Sequence, residues 1–311
     1  MPIIDLARLP GKSLLHKLLN YLKEVDADFR KGFHITIPEV FPAERQRGET
    51  CKLKALADAM QQASCRFNCY RPPLYKEKQR DVVSLRQIAK RLGSVVGEVY
   101  SAEMLQRICE EAGFVGEFYN PYNEDEWIET VCLLIDKNLA PIIFYDVDTS
   151  PTERKGYARI GDGKNEHAAT VVGYYRTELD ETRFILTLWG DYYDMDAMEL
   201  ALSSCYALAD RREPETFIKV HLDGETRWKL VRSFNPNGEE QVLHDVLLRK
   251  APEMPSNATP LKGKIFTITG LKRLPSLPLT SFFSSTSKAP ILVEDKKEEE
   301  CVSQPLIPYS S

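Results

Sequence analysis

Apolar residues recur at helical spacing through the first half of the chain and run in short, nearly continuous blocks through the second. In "GKSLLHKLLNYLKEV" (11–25), Leu14, Leu15, Leu18, Leu19 and Leu22 share a face, which predicts a short amphipathic helix that docks on the core or on a partner. "HITIPEVFPAERQRGET" then reads as an extended segment and a loop, because prolines and clustered polar residues break the period. From Cys51 the period returns. Leu53, Leu56, Ala57 and Met60 lie on one side while Lys52, Lys54 and Asp58 lie off it, the pattern of an amphipathic helix starting near Cys51. "VSLRQIAKRLG" predicts a further helix stopped at Gly93. "VYSAEMLQRICEEAG" predicts another, with Ser101 as N-cap, Glu103 in the first turn and Gly113 past its end. "EDEWIETVCLLIDKN" predicts the next, through Trp127, Ile128, Val131, Leu134 and Ile135.

The second half reads as strands. "APIIFYDVD", "HAATVVGYYRT", "TRFILTLWG" and "ETFIKVHL" are rich in β-branched and aromatic residues, and "TRWKLVRSF" adds a further strand. Between them "DMDAMELALSSCYAL" reads as a helix with Asp194 or Asp196 near its start. Helices followed by an antiparallel sheet make an α+β plan. After about residue 251 the composition turns to Pro and Ser and then to an acidic block, so 251–311 reads as a mostly flexible tail in which "KIFTITGL" pairs at most as an edge strand. The organisation expected is a helix and extended segment over 1–45, a folded domain over 46–250 and the tail.

Composition narrows the function classes. At 311 residues and 43% hydrophobic, the chain is long enough for a substantial core. A net charge of −5 argues against a general nucleic-acid binder, which would show a basic face. No apolar run approaches the roughly 18 residues of a membrane span, and the N-terminus lacks the pattern of a secretory signal. The seven cysteines (51, 65, 69, 109, 132, 205 and 301) are irregularly spaced, and Cys65 and Cys69 supply only two of the ligands a zinc site needs. Most of them read as reduced, buried thiols of a cytoplasmic protein, with no metal or other cofactor implied.

A thiol hydrolase needs a thiol where the thiolate is favoured, a histidine to take its proton, a polar group to hold that histidine, and donors for the oxyanion. Cys51 follows the turn "RGET" at a helix start, where the helix dipole favours negative charge, with Thr50 or Glu49 as its cap. Taken alone it reads more readily as a small buried residue in a first turn. His167 stands at the head of the strand "AATVVGYY" after a Gly-rich loop. Asp191 follows "FILTLWG"; if these two strands pair, it meets His167 at one sheet end, with Asp194 and Asp196 as rivals whose ordinary role is helix capping. Gln46, five residues before Cys51, is a candidate oxyanion donor beside the Cys51 backbone N–H. His16, His34, His221 and His244 lie in less suitable settings, and no phosphate-loop, dinucleotide, serine-esterase or zincin motif is present.

The order Cys, His, Asp, together with "QRGETCKLKAL", "GEVYSAEMLQRICEEAG", "APIIFYDVD", "HAATVVGYY" and "LTLWGDY", resembles the papain-like cysteine peptidases of the bacteriocin-processing type and, among them, the actin maturation proteases. The resemblance covers roughly residues 46–205. It implies a papain-like fold and peptide-bond cleavage: Cys51 attacks, His167 moves the proton, Asp191 orients His167, and Gln46 with the Cys51 N–H holds the oxyanion. It implies a protein or peptide substrate, with actin as one host protein of that class. Lys52 departs from the family, which carries Gly there; an ammonium beside a thiol is also a setting that favours the thiolate. Two other classes share these residues: a transglutaminase or deamidase using the same triad, and a non-catalytic protein that binds a partner. The acidic run Glu294 to Glu300 before a Ser-ending terminus resembles the translocation signals of bacterial type IV effectors, as in Legionella, and implies delivery into a host cytosol.

Overall fold

The computed structural model describes residues 34–35, 46, 48–76, 82–149, 156–160, 165–177, 179–189, 191–206, 216–222, 225–231, 241–242, 249–250 and 258–272, some of them by backbone alone. The chain divides into Met1–Arg273 and Leu274–Ser311, and every described residue belongs to the first unit. The helix expected over 11–25, His16, His244 and the acidic tail lie outside the described residues.

The helices are α1 (Cys51–Phe67), α2 (Leu85–Arg91), α3 (Ala102–Glu111), α4 (Glu124–Asp136) and α5 (Ala197–Cys205). Their ends follow the local signals. Ser84 closes a capping box with Gln87, Ser101 Oγ accepts from the Met104 N–H at 3.2 Å, and Asn123 and Asp196 cap α4 and α5 in the same way. The strands are β1 (His34–Ile35), β2 (Phe114–Tyr119), β3 (Ile142–Asp146), β4 (Glu166–Arg176), β5 (Thr182–Leu188), β6 (Asp191–Asp196), β7 (Thr216–Leu222), β8 (Glu225–Leu230), β9 (Gln241–Val242), β10 (Arg249–Lys250) and β11 (Ile265–Leu271).

The main sheet is antiparallel in the order β2-β11-β3-β4-β5-β6, with β1 added against the far end of β4. Adjacent residues of β3 divide between two cores, as a pleat requires. Ile142 and Phe144 join α1, α2 and α3 on one face; Ile143 and Tyr145 join α4 and α5 on the other. The plan is thus α+β with helices on both faces. A smaller sheet, β10-β7-β8 with β9 beside β7, meets the loop before α3 through Phe217 and Trp228 packed with Val95, Val96 and Tyr100.

Three expectations change. β11 runs inside the sheet between β2 and β3 rather than at an edge, so the fold extends past the boundary drawn at 250. β2, which no local pattern announced, is its partner. "DYYDMD" is a strand turned back on β5, so of the two starts expected for the helix, Asp194 and Asp196, the structure has Asp196, and Asp194 lies within the strand. Of the six described cysteines only Cys51 and Cys109 are buried, and Cys65 is exposed.

Gly116 in the middle of β2 hides that strand from pattern reading, and the sheet explains its presence. A Cβ there would run into the ring of Phe266, which is fully buried on β11. Gly116→Ala is expected to cost about 1–3 kcal/mol by overpacking, read as a lower urea midpoint. Val115→Ala, on the exposed side of the same strand, is the control and is expected to fall within about 0.5 kcal/mol of wild type.

Candidate functional site

Cys51 is the first residue of α1, and α1 is not the half-exposed helix its pattern predicts. Lys52, Lys54, Asp58 and Gln62 are buried along with the apolar face. Each finds a partner, which is what allows a polar residue into a core. Lys54 Nζ reaches both Asp58 carboxylate oxygens at 2.6 Å, and the Thr187 hydroxyl of β5 donates to Asp58 Oδ2 at 2.9 Å. Burial pushes the Asp58 carboxyl up, and Lys54 and Thr187 pull against it. The Thr170 hydroxyl of β4 donates to the Ala55 carbonyl at 2.9 Å, and Gln62 Nε2 donates to the Asn138 carbonyl at 2.6 Å. These bonds lay α1 across β4 and β5 in one position and so place its N-terminus.

That N-terminus lacks a side-chain cap. Thr50 occupies the N-cap position, but its hydroxyl pairs with the Tyr75 hydroxyl at 2.8 Å and makes no bond to the first turn. The other described helices are capped by their own N-cap side chains. The Cys51 N–H, at the first helical position, has no intrahelical acceptor. Gly48 shapes the approach: its φ is +67°, and a Cβ would stand 2.6 Å from the Trp228 carbonyl of β8.

His167 is the second residue of β4, opposite Tyr145 of β3. The imidazole meets the Tyr145 ring edge-on at 6.5 Å and the Trp189 ring at 5.4 Å. Cys51 and His167 are 6% and 7% exposed. The residues beside them join directly. Lys52 Nζ lies 3.0 Å from Glu166 Oε1, an ion pair by distance although its angle is not that of a hydrogen bond, and 3.5 Å from the Glu166 carbonyl, to which it donates. The first turn of α1 is thereby fastened to the head of β4. The charges on either side of Cys51, Glu49 and Lys52, both act on the imidazole.

Burial, and after it the Lys52 cation, push the His167 imidazole down to about 3, with Glu49 and Glu166 opposing. A neutral imidazole is the form able to accept a thiol proton. The same shift makes a stability prediction. An unfolded imidazole titrates near 6.5, so between pH 6.5 and 3 the unfolded chain holds a proton the folded chain lacks. His167's contribution is present above pH 6.5 and is lost as pH falls toward 3. On going from pH 7.5 to 5, wild type is expected to lose about 2 kcal/mol more than His167→Phe in urea unfolding. Equal losses would show that the imidazole is not held neutral.

The candidate acids separate. Asp191 opens β6 opposite Leu188, one step from Trp189, so its backbone lies at the His167 end of the sheet; its carboxylate lies outside the described residues. Asp194 pairs with Ile185, itself opposite Gly173, which is six residues and about 20 Å along β4 from His167. It is held by Arg183 Nε at 3.0 Å and by the Tyr175 hydroxyl at 2.9 Å. Asp196 caps α5, accepting from the Glu199 N–H at 2.8 Å. The structure therefore removes Asp194 and Asp196 as rivals. Gln46 Nε2 donates to the Gly48 carbonyl at 2.9 Å, within the loop that leads to Cys51.

Pattern reading missed Tyr145, Glu166 and Trp189. Trp189 had a visible signal, since it stands two residues before the candidate acid. Its φ of +54° places it in the left-handed region that a bulky residue rarely adopts, and held strain of this kind gathers at functional sites. Among the described residues no group of three or more His, Cys, Asp or Glu side chains is placed to hold a metal ion, and no helix is long and apolar enough to cross a membrane. No family model matches the chain, and no curated protein is significantly similar to it in sequence.

Proposed function

We propose that the chain is a cysteine peptidase of papain-like architecture, with Cys51 as nucleophile, His167 as the proton carrier and Asp191 as the residue that orients the imidazole. One observation carries the reading: the helix that begins at Cys51 is fastened, through the next residue, to the strand residue just before His167. A helix with a thiol at its N-terminus, laid against an antiparallel sheet with a histidine at a strand head, is the arrangement such chemistry uses.

In the reaction, the Cys51 sulfur bonds to the scissile carbonyl carbon while its proton passes to His167. The carbonyl oxygen takes the negative charge and is met by the Cys51 N–H, with the Gln46 amide as the second donor once it swings from Gly48. The C–N bond then breaks, and the imidazolium returns its proton to the leaving amine. Water attacks the thioester, giving its proton to His167; the C–S bond breaks and the thiol is restored. The substrate class is a protein or peptide.

The test is mass spectrometry of a peptide library incubated with wild type and with Cys51→Ala. Fragments made only by wild type support a peptidase. Intact peptides about one dalton heavier, or joined to an amine, would reassign the same thioester chemistry to a deamidase or transglutaminase. Identical spectra from both proteins, with no iodoacetamide labelling of Cys51 in folded wild type, would end the enzyme reading.

A further inference from the structure

We propose that the Lys52–Glu166 ion pair is a charge-setting clamp for the reacting groups: it holds the thiol-bearing turn of α1 against the head of β4, and the balance of its two charges governs how readily the Cys51 sulfur reacts. Its catalytic meaning rests on the reading of Cys51 and His167 as the reacting pair; its electrostatic meaning does not.

The geometry is specific. Lys52 immediately follows Cys51 and Glu166 immediately precedes His167, so the 3.0 Å contact spans 114 residues of chain to join the neighbours of the two candidate groups. Both side chains are inside the protein, 7% and 4% exposed, and the ammonium also lies 5.8 Å over the Tyr100 ring. An ion pair taken out of water gains little net stability over an apolar pair of the same volume, because desolvation offsets the attraction. Stability alone therefore gives no reason to bury a lysine and a glutamate here. Two buried charges beside a thiol and an imidazole do have an electrostatic consequence, because screening is weak in the interior.

Among the described residues, the charged and titratable groups near the pair include, besides Tyr100, groups on α1, β3 and β4. Glu49, Cys51 and Lys52 come from α1 and its leading turn, and Glu166 and His167 from β4. Tyr145 comes from β3, and Asp146 stands opposite Glu166 in register, paired with Lys262 at 3.0 Å. Lys52 and Glu49 act on the imidazole in opposite senses, and Glu166 sides with Glu49. Lys52 is the cation of the set that adjoins Cys51 in the chain; Lys262 is committed to Asp146 on the neighbouring strand.

Two single substitutions break the same contact from opposite ends. Lys52→Met keeps the length of the stem and removes the positive charge; Glu166→Gln keeps the shape and removes the negative one. The readout is the rate of Cys51 alkylation by iodoacetamide at pH 7, followed by peptide mass spectrometry, with Cys51→Ala as blank and a cooperative thermal transition as proof of folding. The clamp is expected to give opposite signs: about fivefold slower in Lys52→Met and faster than wild type in Glu166→Gln. Lys52→Arg, which keeps the charge, is expected to stay near the wild-type rate. A purely structural tie would move Lys52→Met and Glu166→Gln in the same direction, and that result, or no change in either, overturns the proposal. Should Lys52→Met not fold, Glu166→Gln alone decides, since a rate at or below wild type contradicts the clamp. Opposite signs without any peptide cleavage would leave the clamp standing and remove the peptidase reading.

Discussion

Cys51→Ala is expected to abolish Cys51-dependent peptide cleavage, with a loss of at least about three orders of magnitude in kcat/KM and little change in stability. The size of the loss follows from the proposed mechanism. Without a sulfur no thioester forms, and what remains is the help that oriented donors give to direct attack by water, a small residue of the total. The substitution removes a single sulfur atom, and the site it leaves is at the end of a helix, outside the Leu53, Leu56 and Met60 cluster. A thermal transition within about 2 °C of wild type is therefore expected. Cys51→Ser is the sharper companion: it keeps a hydroxyl in place but offers a poor nucleophile to a neutral imidazole, and should lose nearly as much. Full activity in Cys51→Ala would mean that another of the cysteines does the chemistry or that none does.

The largest expected effect on stability is at Asp58. Asp58→Ala strips the buried Lys54 ammonium of its partner at 2.6 Å and deprives the Thr187 hydroxyl of its acceptor. Removing one member of a buried ion pair costs about 3–5 kcal/mol, mostly because the remaining charge stays in a dry site. In a folded unit of this size that is a fall of about 10 °C or more in Tm. The double substitution Lys54→Met with Asp58→Leu removes both charges and is expected to recover most of the loss. Because Asp58 and Thr187 help fix the tilt of α1 over β5, Asp58→Ala should also slow Cys51 alkylation without touching the site. A loss under about 1 kcal/mol would mean that water reaches Lys54 and that α1 is not buried on that side.

How much of this could be read from the residues depends on where each residue's partner lies. The ends of α2, α3 and α4, and the strands β3, β4 and β5, carry their signals within a few positions: Ser84 with Gln87, Ser101 before Met104, Gly93 and Gly113 in left-handed conformations past helix ends. The pairing of β4 with β5, on which the meeting of His167 and Asp191 was argued, is a local hairpin and was legible. β2 was not, because Gly116 interrupts its run and its partner β11 lies near the far end of the fold. β6 was not, because its acids look like caps and only the last of them is one. The polar side of α1 was misread because Lys54 and Asp58 look solvent-facing until Thr187, 129 residues away, comes into contact.

The sequence by itself determined the α+β class, the helix that starts at Cys51, and the strand headed by His167, since each depends on periodicity, caps and β-branched runs that act over one or two turns of chain. Tertiary structure alone decided that Lys52 faces Glu166, that Asp194 belongs to Arg183 and not to the histidine, and that Trp189 and Tyr145 flank the imidazole. Those choices depend on register and on burial, which bring together groups far apart in the chain and set the local dielectric in which their charges act.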